Sequence, residues 1–453
     1  MSSKSSTSLT IYGGVKEIGG NKILVQNKDT RIFLDFGQSF SLLDQYFVPE
    51  AYLTPRERFG LRDYFALDLM PRLEGLYSME ALQFTDMQYK EPQYDAVFLS
   101  HPHMDHFLHM KYLDPNIPIY MGETAERIIR STEATTSNKY IPEGAKINTF
   151  RTGKRIRVGS IDITPVHVDH SVPGAYGFLI DTGEERIIYT GDIRQHGHDP
   201  EKTEDFLSSA EGFDSNALII EGTRVAKKDN RTNHIEPVVV EESRKIAKKS
   251  EGLILCMRYP KDMDRFMTFY SIAKETGKEI IISPKTAHLL LALAEDNLGL
   301  PNPLKDSNIK IFMREKKTYY KWEKDMMQDC VNVEYIHKNQ ESVMLELDSY
   351  YMAELVDIKP KKGDIIHSMS EPFEEDPVSA MVDEVLHNWA ARFNMNYHQL
   401  HASGHAAQIE IFNMVERMKP GLTIPVHTKA PHLFRKCRSK VKLAKKGVEI
   451  NID

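Results

Sequence analysis

Residues 99–106 read Leu-Ser-His-Pro-His-Met-Asp-His and follow the apolar run Ala96-Val97-Phe98-Leu99. A strand that ends in such a loop delivers its polar side chains at the carboxyl edge of a sheet, where open α/β sheets keep their sites. In an extended loop His101, His103 and Asp105 alternate, and His106 turns to the other side. This spacing serves two adjacent metals rather than one. A His/carboxylate set without thiolate suits zinc or manganese at a hydrolytic centre.

The rest of a ligand set lies downstream, each member after an apolar strand. His170 follows the alternating run 161–166, Asp192 ends Ile187-Ile188-Tyr189-Thr190-Gly191-Asp192, and His427 ends Leu422-Thr423-Ile424-Pro425-Val426-His427. A lone histidine after a strand is more often structural; three sites repeating one geometry reverse those odds. Two metals that share a water need a bridging carboxylate. Asp192 is the expected bridge, with His101, His103 and His170 completing one site and Asp105, His106 and His427 the other. Asp105 and Asp192 would orient the attacking water. Two dications against two carboxylates leave a centre that attracts a phosphodiester.

The segment His401-Ala402-Ser403-Gly404-His405 precedes a helix that starts near Ala407. Backbone N–H groups there, a hydroxyl and two imidazoles suit a phosphate cradle. His405 or His401 could donate a proton to a leaving oxygen. Glu221 ends the strand Ala217–Ile220 and could orient a ligand histidine; a plain surface turn fits its spacing equally. Arg258 follows another strand and could hold a phosphate, or serve a structural ion pair. His109, His167, His196 and His198 read as supporting or surface residues.

The 453-residue chain is 41% hydrophobic and 27% charged, enough for two or three domains with full cores. Its three cysteines, Cys256, Cys330 and Cys437, have no metal or redox spacing, which fits a reduced, cytoplasmic setting. The polar N-terminal tail lacks the apolar core of a signal peptide, and no run is long enough to span a bilayer. With a net charge of −7, nucleic-acid binding would need local basic patches. Candidates are Arg151–Arg157, 244–249, and Arg435–Lys446 just beyond His427.

Residues 9–40 read as strands with Gly-rich turns, 41–93 as an insertion with short helices, and 123–138 as a helix. Strands are expected at 161–166, 176–181, 186–190 and 217–221. From about 235, helices at 237–249, 262–276 and 285–297 alternate with strands at 253–257, 279–283, 309–312, 333–336 and 364–367, followed by a helix at 376–394. Such alternation predicts a parallel sheet with flanking helices. Ligands occur on both sides of this block, so the metal-binding domain is expected to be discontinuous. The expected division is 1–225 and 395–453 for that domain, with 226–394 inserted.

His101-Pro102-His103-Met104-Asp105-His106 resembles the HxHxDH signature of the metallo-β-lactamase superfamily. His170 and Asp192 are similar to its third and fourth motifs. Glu221, His405 and His427 resemble motifs A, B and C of its β-CASP nucleases. The segments 401–406, Met418-Lys419-Pro420 and His170-Ser171-Val172-Pro173 are most similar to the ribonuclease J group. The resemblance implies an α/β fold, a metallo-β-lactamase αββα sandwich with an inserted β-CASP α/β domain. It implies a nuclease with two zinc ions, manganese being the alternative. Histidine at motif C points to RNA, single-stranded and with a 5′-monophosphate read at 401–405, cleaved by 5′-to-3′ exonuclease action, endonuclease action or both. It also implies a homodimer, no membrane partner, and a shorter, archaeal-like form without the bacterial C-terminal domain. The segment 41–93 and Phe107-Leu108-His109 depart from the family pattern. A DNA-directed nuclease is the nearest alternative, before a small-molecule metallo-hydrolase or a non-catalytic RNA-processing subunit.

Overall fold

A computed structural model describes residues 7–48, 53–229, 231–372 and 377–452. The start of the polar tail (1–6), part of the insertion (49–52) and the first residue of the expected 376–394 helix lie outside them.

Among the described residues the strands form three seven-stranded sheets. The first runs Glu449–Asn451, Thr7–Gly13, Lys22–Asn27, Thr30–Leu34, Ala96–Phe98, Ile119–Gly122 and Ile147–Phe150, with its first three pairings antiparallel and its last three parallel. The second runs Lys440–Val441, Leu422–Pro425, Ala217–Ile220, Arg186–Tyr189, Tyr176–Asp181, Ile161–His167 and Ile156–Val158, with three parallel pairings followed by three antiparallel ones.

Side chains alternate across a strand, so each sheet has two apolar faces to cover. Ile11, Ile23, Ile32 and Phe98 of the first sheet pack against Ile163, Phe178, Ile187 and Ile219 of the second in one continuous core. Phe33, Val97 and Met121 face the opposite way, against Leu61, Phe65 and Leu82 from the insertion and Ile129 from the helix Glu123–Ala134. Leu179, Ile188 and Leu218 face the helices Pro200–Glu211 and Gln408–Met418 through Phe206 and Met414. The result is helix, sheet, sheet, helix, an αββα sandwich.

The third sheet is parallel throughout and runs Cys330–Val331, Ile309–Phe312, Glu279–Ile282, Val343–Glu346, Leu253–Arg258, Gly363–Ser368 and Met395–Gln399. Parallel strands are covered on both faces, and Leu253–Arg258 is accordingly buried at every residue. Helices Glu236–Lys249, Met263–Glu275 and Pro284–Ala292 cover one face. Val333–Lys338, Glu354–Ile358 and Pro377–Arg392 cover the other.

The strand expected at 333–336 is a helix. Asn332 caps it by accepting from Tyr335 N, and a cap of this kind favours helix over the β-like alternation of Val331 to Ile336. The strand of this region is Val343–Glu346, which sequence patterning passed over. Within 41–93 the expected short helices are Phe40–Leu43, Arg62–Ala66 and Met79–Leu82.

Candidate metal centre

The donors gather at the carboxyl ends of strands from the first two sheets. The loop 100–106, here called the signature loop, follows Ala96–Phe98. His170 follows Ile161–His167, Asp192 follows Arg186–Tyr189, and His427 follows Leu422–Pro425. Glycines let the N-terminal segment close over this loop. A side chain at Gly37 would stand 1.7 Å from the Asp105 carbonyl oxygen, and one at Gly19, whose φ is +76°, 2.6 Å from the Asp105 carboxylate. Gly20 and Asn21 N–H groups donate to that carbonyl at 3.0 and 3.1 Å.

Asp192 Oδ2 is the hub. It lies 3.2 Å from His106 Nε2, 3.4 Å from His101 Nε2, and 3.8 Å from both His170 Nε2 and His427 Nε2. His103 Nδ1 is 3.2 Å from His101 Nε2 and 3.0 Å from His170 Nε2. Asp105 Oδ2 is 3.1 Å from His427 Nε2 and 3.8 Å from His106 Nε2. The donors fall into the groups His101, His103, His170, Asp192 and Asp105, His106, His427, with ligand atoms within 4.8 Å of one another in each group.

The donor set fits divalent cations. Among the described residues Asp192 Oδ1 is buried without a hydrogen-bond partner, an arrangement that costs energy unless a cation satisfies it. Burial drives the pKa of His101 and His170 well down and that of His103 to about 3, so these rings present lone pairs. Burial opposes ionisation of Asp105 and Asp192, but the imidazoles around them outweigh it and hold both carboxyls well below the usual range. Burial also works against charging His427, yet Asp192 and Asp105 hold its pKa up to about 9.

A second layer fixes the rings. Thr223 Oγ1 meets His427 Nδ1 at 2.7 Å, Ser100 Oγ meets His101 Nδ1 at 3.0 Å, and the Gly404 carbonyl accepts from His170 Nδ1. Asp35 meets His106 Nδ1 at 2.8 Å and accepts from Ser100 N and Oγ and from Tyr189 OH. Sequence reading missed Asp35. Its signal was the end of the strand Thr30–Leu34, where the chain turns through Asp35-Phe36-Gly37 as it turns through the ligand loops. Asp35 and His427 both hold positive φ, +58° and +51°, a costly geometry for side-chain-bearing residues that clusters at functional sites.

His405 Nδ1 stands 3.0 Å from Glu221 Oε1 and 3.8 Å from Asp192 Oδ2. Glu221 thus pairs with His405, lies within 4.8 Å of Asp192 and His427 in a third candidate group, and also accepts from Ile193 N and Thr223 N. Ser403 Oγ accepts from His405 N. Ala402 and His401 are buried. His401 turns away toward the third sheet, with Nδ1 3.2 Å from the Ser368 carbonyl and Nε2 3.3 Å from Ser370 Oγ. Arg258 is not open to a phosphate. Its guanidinium is bound by Glu346, Thr286 Oγ1 and the carbonyls of Tyr259, Pro260 and Asp262.

Two of the basic patches are also internally matched. Arg151 pairs with Glu123, Arg155 and Arg157 with Asp162, Arg244 with Glu241 and Glu275, and Lys245 with Glu242. His109 is fully buried and neither ring nitrogen has a hydrogen-bond partner; it packs edge-on to Tyr64 of the insertion.

Fold and site together define a metal-binding protein of the metallo-β-lactamase fold. The beta-lactamase superfamily domain matches residues 76–250, and the Zn-dependent metallo-hydrolase RNA specificity domain matches 391–450. The chain is 23% identical over 443 residues to "Ribonuclease J" of Mycoplasma genitalium, covering 94% of this chain and 68% of that protein. It is 22% identical to "Ribonuclease J" of Helicobacter pylori, covering 96% of this chain and 58% of that protein. A crystal structure of a protein of unknown function from Enterococcus faecalis superposes with a TM-score of 0.76 at 23% identity, over 98% of this chain and 99% of the other. The chain carries a beta-lactamase superfamily domain and a Zn-dependent metallo-hydrolase RNA specificity domain, and it is similar to ribonuclease J over most of its length at 22–23% identity. It spans 58–68% of the length of the two ribonuclease J relatives. Among the described residues no helix is long and apolar enough to cross a membrane.

Proposed function

We propose that the chain is a metal-dependent ribonuclease that hydrolyses phosphodiester bonds of single-stranded RNA in RNA processing or decay. The observation that carries this reading is the gathering of five imidazoles and the Asp105 carboxylate around Asp192, with the His405–Glu221 pair beside them. The ribonuclease J names and the RNA specificity domain supply the substrate class.

On this reading the two donor groups would hold two zinc ions, with manganese as the alternative. When bound, they supply electrophilic activation of a phosphoryl oxygen and of an attacking water. Asp105 and Asp192, both anionic, accept hydrogen bonds from that water and set its line of attack. His405 would reach a scissile phosphate through Nε2, while Glu221 fixes the ring through Nδ1. Ser403 and the backbone around Gly404 hold the neighbouring 5′ phosphate, and Asp35 and Thr223 keep the rings of His106 and His427 in register. Residues 226–394, with the strand Met395–Gln399 that completes their sheet, act as an inserted β-CASP domain that covers the centre from one side. The molecule works in the cytoplasm, as a homodimer.

The test is a 3′-labelled single-stranded RNA bearing a 5′-monophosphate or a 5′-triphosphate, beside matched DNA and an Asp105→Ala control. Cleavage of RNA that prefers the monophosphate and disappears in the control supports the reading. Internal cleavage blind to the 5′ end would make the enzyme an endonuclease. Turnover of DNA alone, or of neither polymer, would overturn it.

A further inference from the structure

Two cavities adjoin the signature loop on the flank away from His401–His405. One, of about 350 Å³, opens beyond the carboxyl ends of the third sheet's strands Leu253–Arg258, Glu279–Ile282, Ile309–Phe312 and Val343–Glu346. The chain enters this sheet at Leu253–Arg258, steps outward through Glu279–Ile282 and Ile309–Phe312, and returns with Val343–Glu346 between the first two. That reversal is a switch point, where parallel sheets leave a crevice for ligands. The other cavity, of about 690 Å³, is walled by the insertion through Phe40, Arg56 and Arg58. Met104, beside His103 and Asp105, and Tyr140 line both, so the two cavities adjoin beside the donor loop and are taken together as a groove.

The groove is basic and aromatic. Trp322, Tyr351, Arg314 and Lys285 line its far end, with the Arg314 guanidinium 3.5 Å above the Tyr351 ring. Phe40 is 40% exposed at the near end, where Arg58 lies 4.7 Å from the Phe59 ring. Carboxylates along the groove are already matched: Glu57 by Lys111, Glu323 by Lys316, Glu346 by Arg258. Asp348 accepts from Tyr350 N. Arg58 and Lys285 are exposed and, among the described residues, carry no ion pair. Lys261 Nζ donates to the Pro102 carbonyl at 2.9 Å and ties the third sheet to the signature loop.

Aromatic rings interleaved with unpaired cations along an open groove are what a single strand needs, since every base has a face to stack and every phosphate a charge to match. The geometry points to this groove as the track for single-stranded RNA beyond the reacting nucleotides, with bases on Trp322 and Phe40 and phosphates at Lys285 and Arg58. The inference rests on the ribonuclease reading above. It assigns a purpose to the insertion: to supply one wall of the track.

The test is fluorescence anisotropy of the metal-loaded full chain with a phosphorothioate RNA of about 20 nucleotides, long enough to occupy the groove, and one of about four, which is not. Lys285→Glu and Arg58→Glu are each expected to weaken the long RNA about tenfold and to flatten its salt dependence, with less effect on the short one. Trp322→Ala weakens the long RNA without changing the salt slope. Lys362→Glu, at the opposite end of the same parallel strands, leaves binding unchanged. Metal content of each variant reports an intact fold. If Lys285→Glu and Arg58→Glu bind like Lys362→Glu while the unsubstituted chain still cleaves RNA, the groove assignment alone falls. If the unsubstituted chain neither binds nor cleaves RNA, both readings fall.

Discussion

Asp35 Oδ2 stands 2.8 Å from His106 Nδ1, and both side chains are completely buried. Asp35 thus fixes which nitrogen of His106 faces Asp192, and it sits 71 residues from the ring it orients. Replacing Asp35 by Ala should lower metal affinity about 10–100-fold, the usual cost of losing such a partner. Competition with a chromogenic chelator measures it, and unchanged affinity would remove Asp35 from the centre's support.

Asp192→Asn should be more damaging. It keeps the volume but removes the charge from the atom on which the two donor groups meet. A loss of several kcal/mol of electrophilic stabilisation corresponds to roughly a thousandfold or greater fall in RNA cleavage. Metal analysis by mass spectrometry should show reduced stoichiometry as well. Full activity with full metal would show that Asp192 is not the bridge.

His405→Ala should separate binding from turnover. The ring contacts Glu221 and approaches Asp192, but it belongs to neither donor group. Metal content should be retained while kcat falls about 10²–10⁴-fold, the range for a lost general acid. Glu221→Gln should follow in the same direction with a smaller effect. Parallel loss of metal in His405→Ala would make it a ligand instead.

Gly404→Ala places a methyl group 2.6 Å from Ser171 Oγ and 3.1 Å from His170 Cε1. Ser171 Oγ can rotate, but its Cβ at 3.0 Å and the His170 ring, locked to the Gly404 carbonyl, stay in the way. Overpacking of this kind costs about 1–3 kcal/mol. The expected result is a lower melting temperature in both metal-free and metal-loaded protein, with weaker metal binding.

The pH response of the metal-free protein follows from two opposed shifts. His103, held neutral by burial with its pKa near 3, resists protonation that the unfolded chain accepts near 6.5. Stability should therefore fall as pH drops from about 6.5 toward 3. His427, with its pKa raised to about 9, contributes stability that is complete below about 6.5 and is lost as pH rises through 9. A cation must displace the His427 proton, so metal binding should release protons and tighten between pH 7 and 9. Calorimetry in buffers of different ionisation enthalpy tests this. A pH-independent affinity across that range would refute it.

The donors were legible because each ends a short apolar strand, a local pattern that survives without knowledge of the fold. The parallel sheet was legible for the same reason: Leu253-Ile254-Leu255-Cys256-Met257 and Glu279–Ile282 are continuous apolar runs between amphipathic helices. What escaped depends on distant partners. Asp35 matters only because Ser100, Tyr189 and His106 converge on it. Arg258 followed a strand as the ligands do, but Glu346 and Thr286 had claimed it. His401 and His405 look equivalent in sequence, yet the turn at Gly404 sends one to the third sheet and the other to Asp192.

His427 meets Asp105 across 322 residues of chain. A polypeptide grows from its first residue, so a product that ends between Asp192 and the strand Leu422–Pro425 carries the signature loop without its closing donor. Such products hold the first donor group complete and the second without its third member. The second donor group therefore stays open until the last strands of the chain have been made.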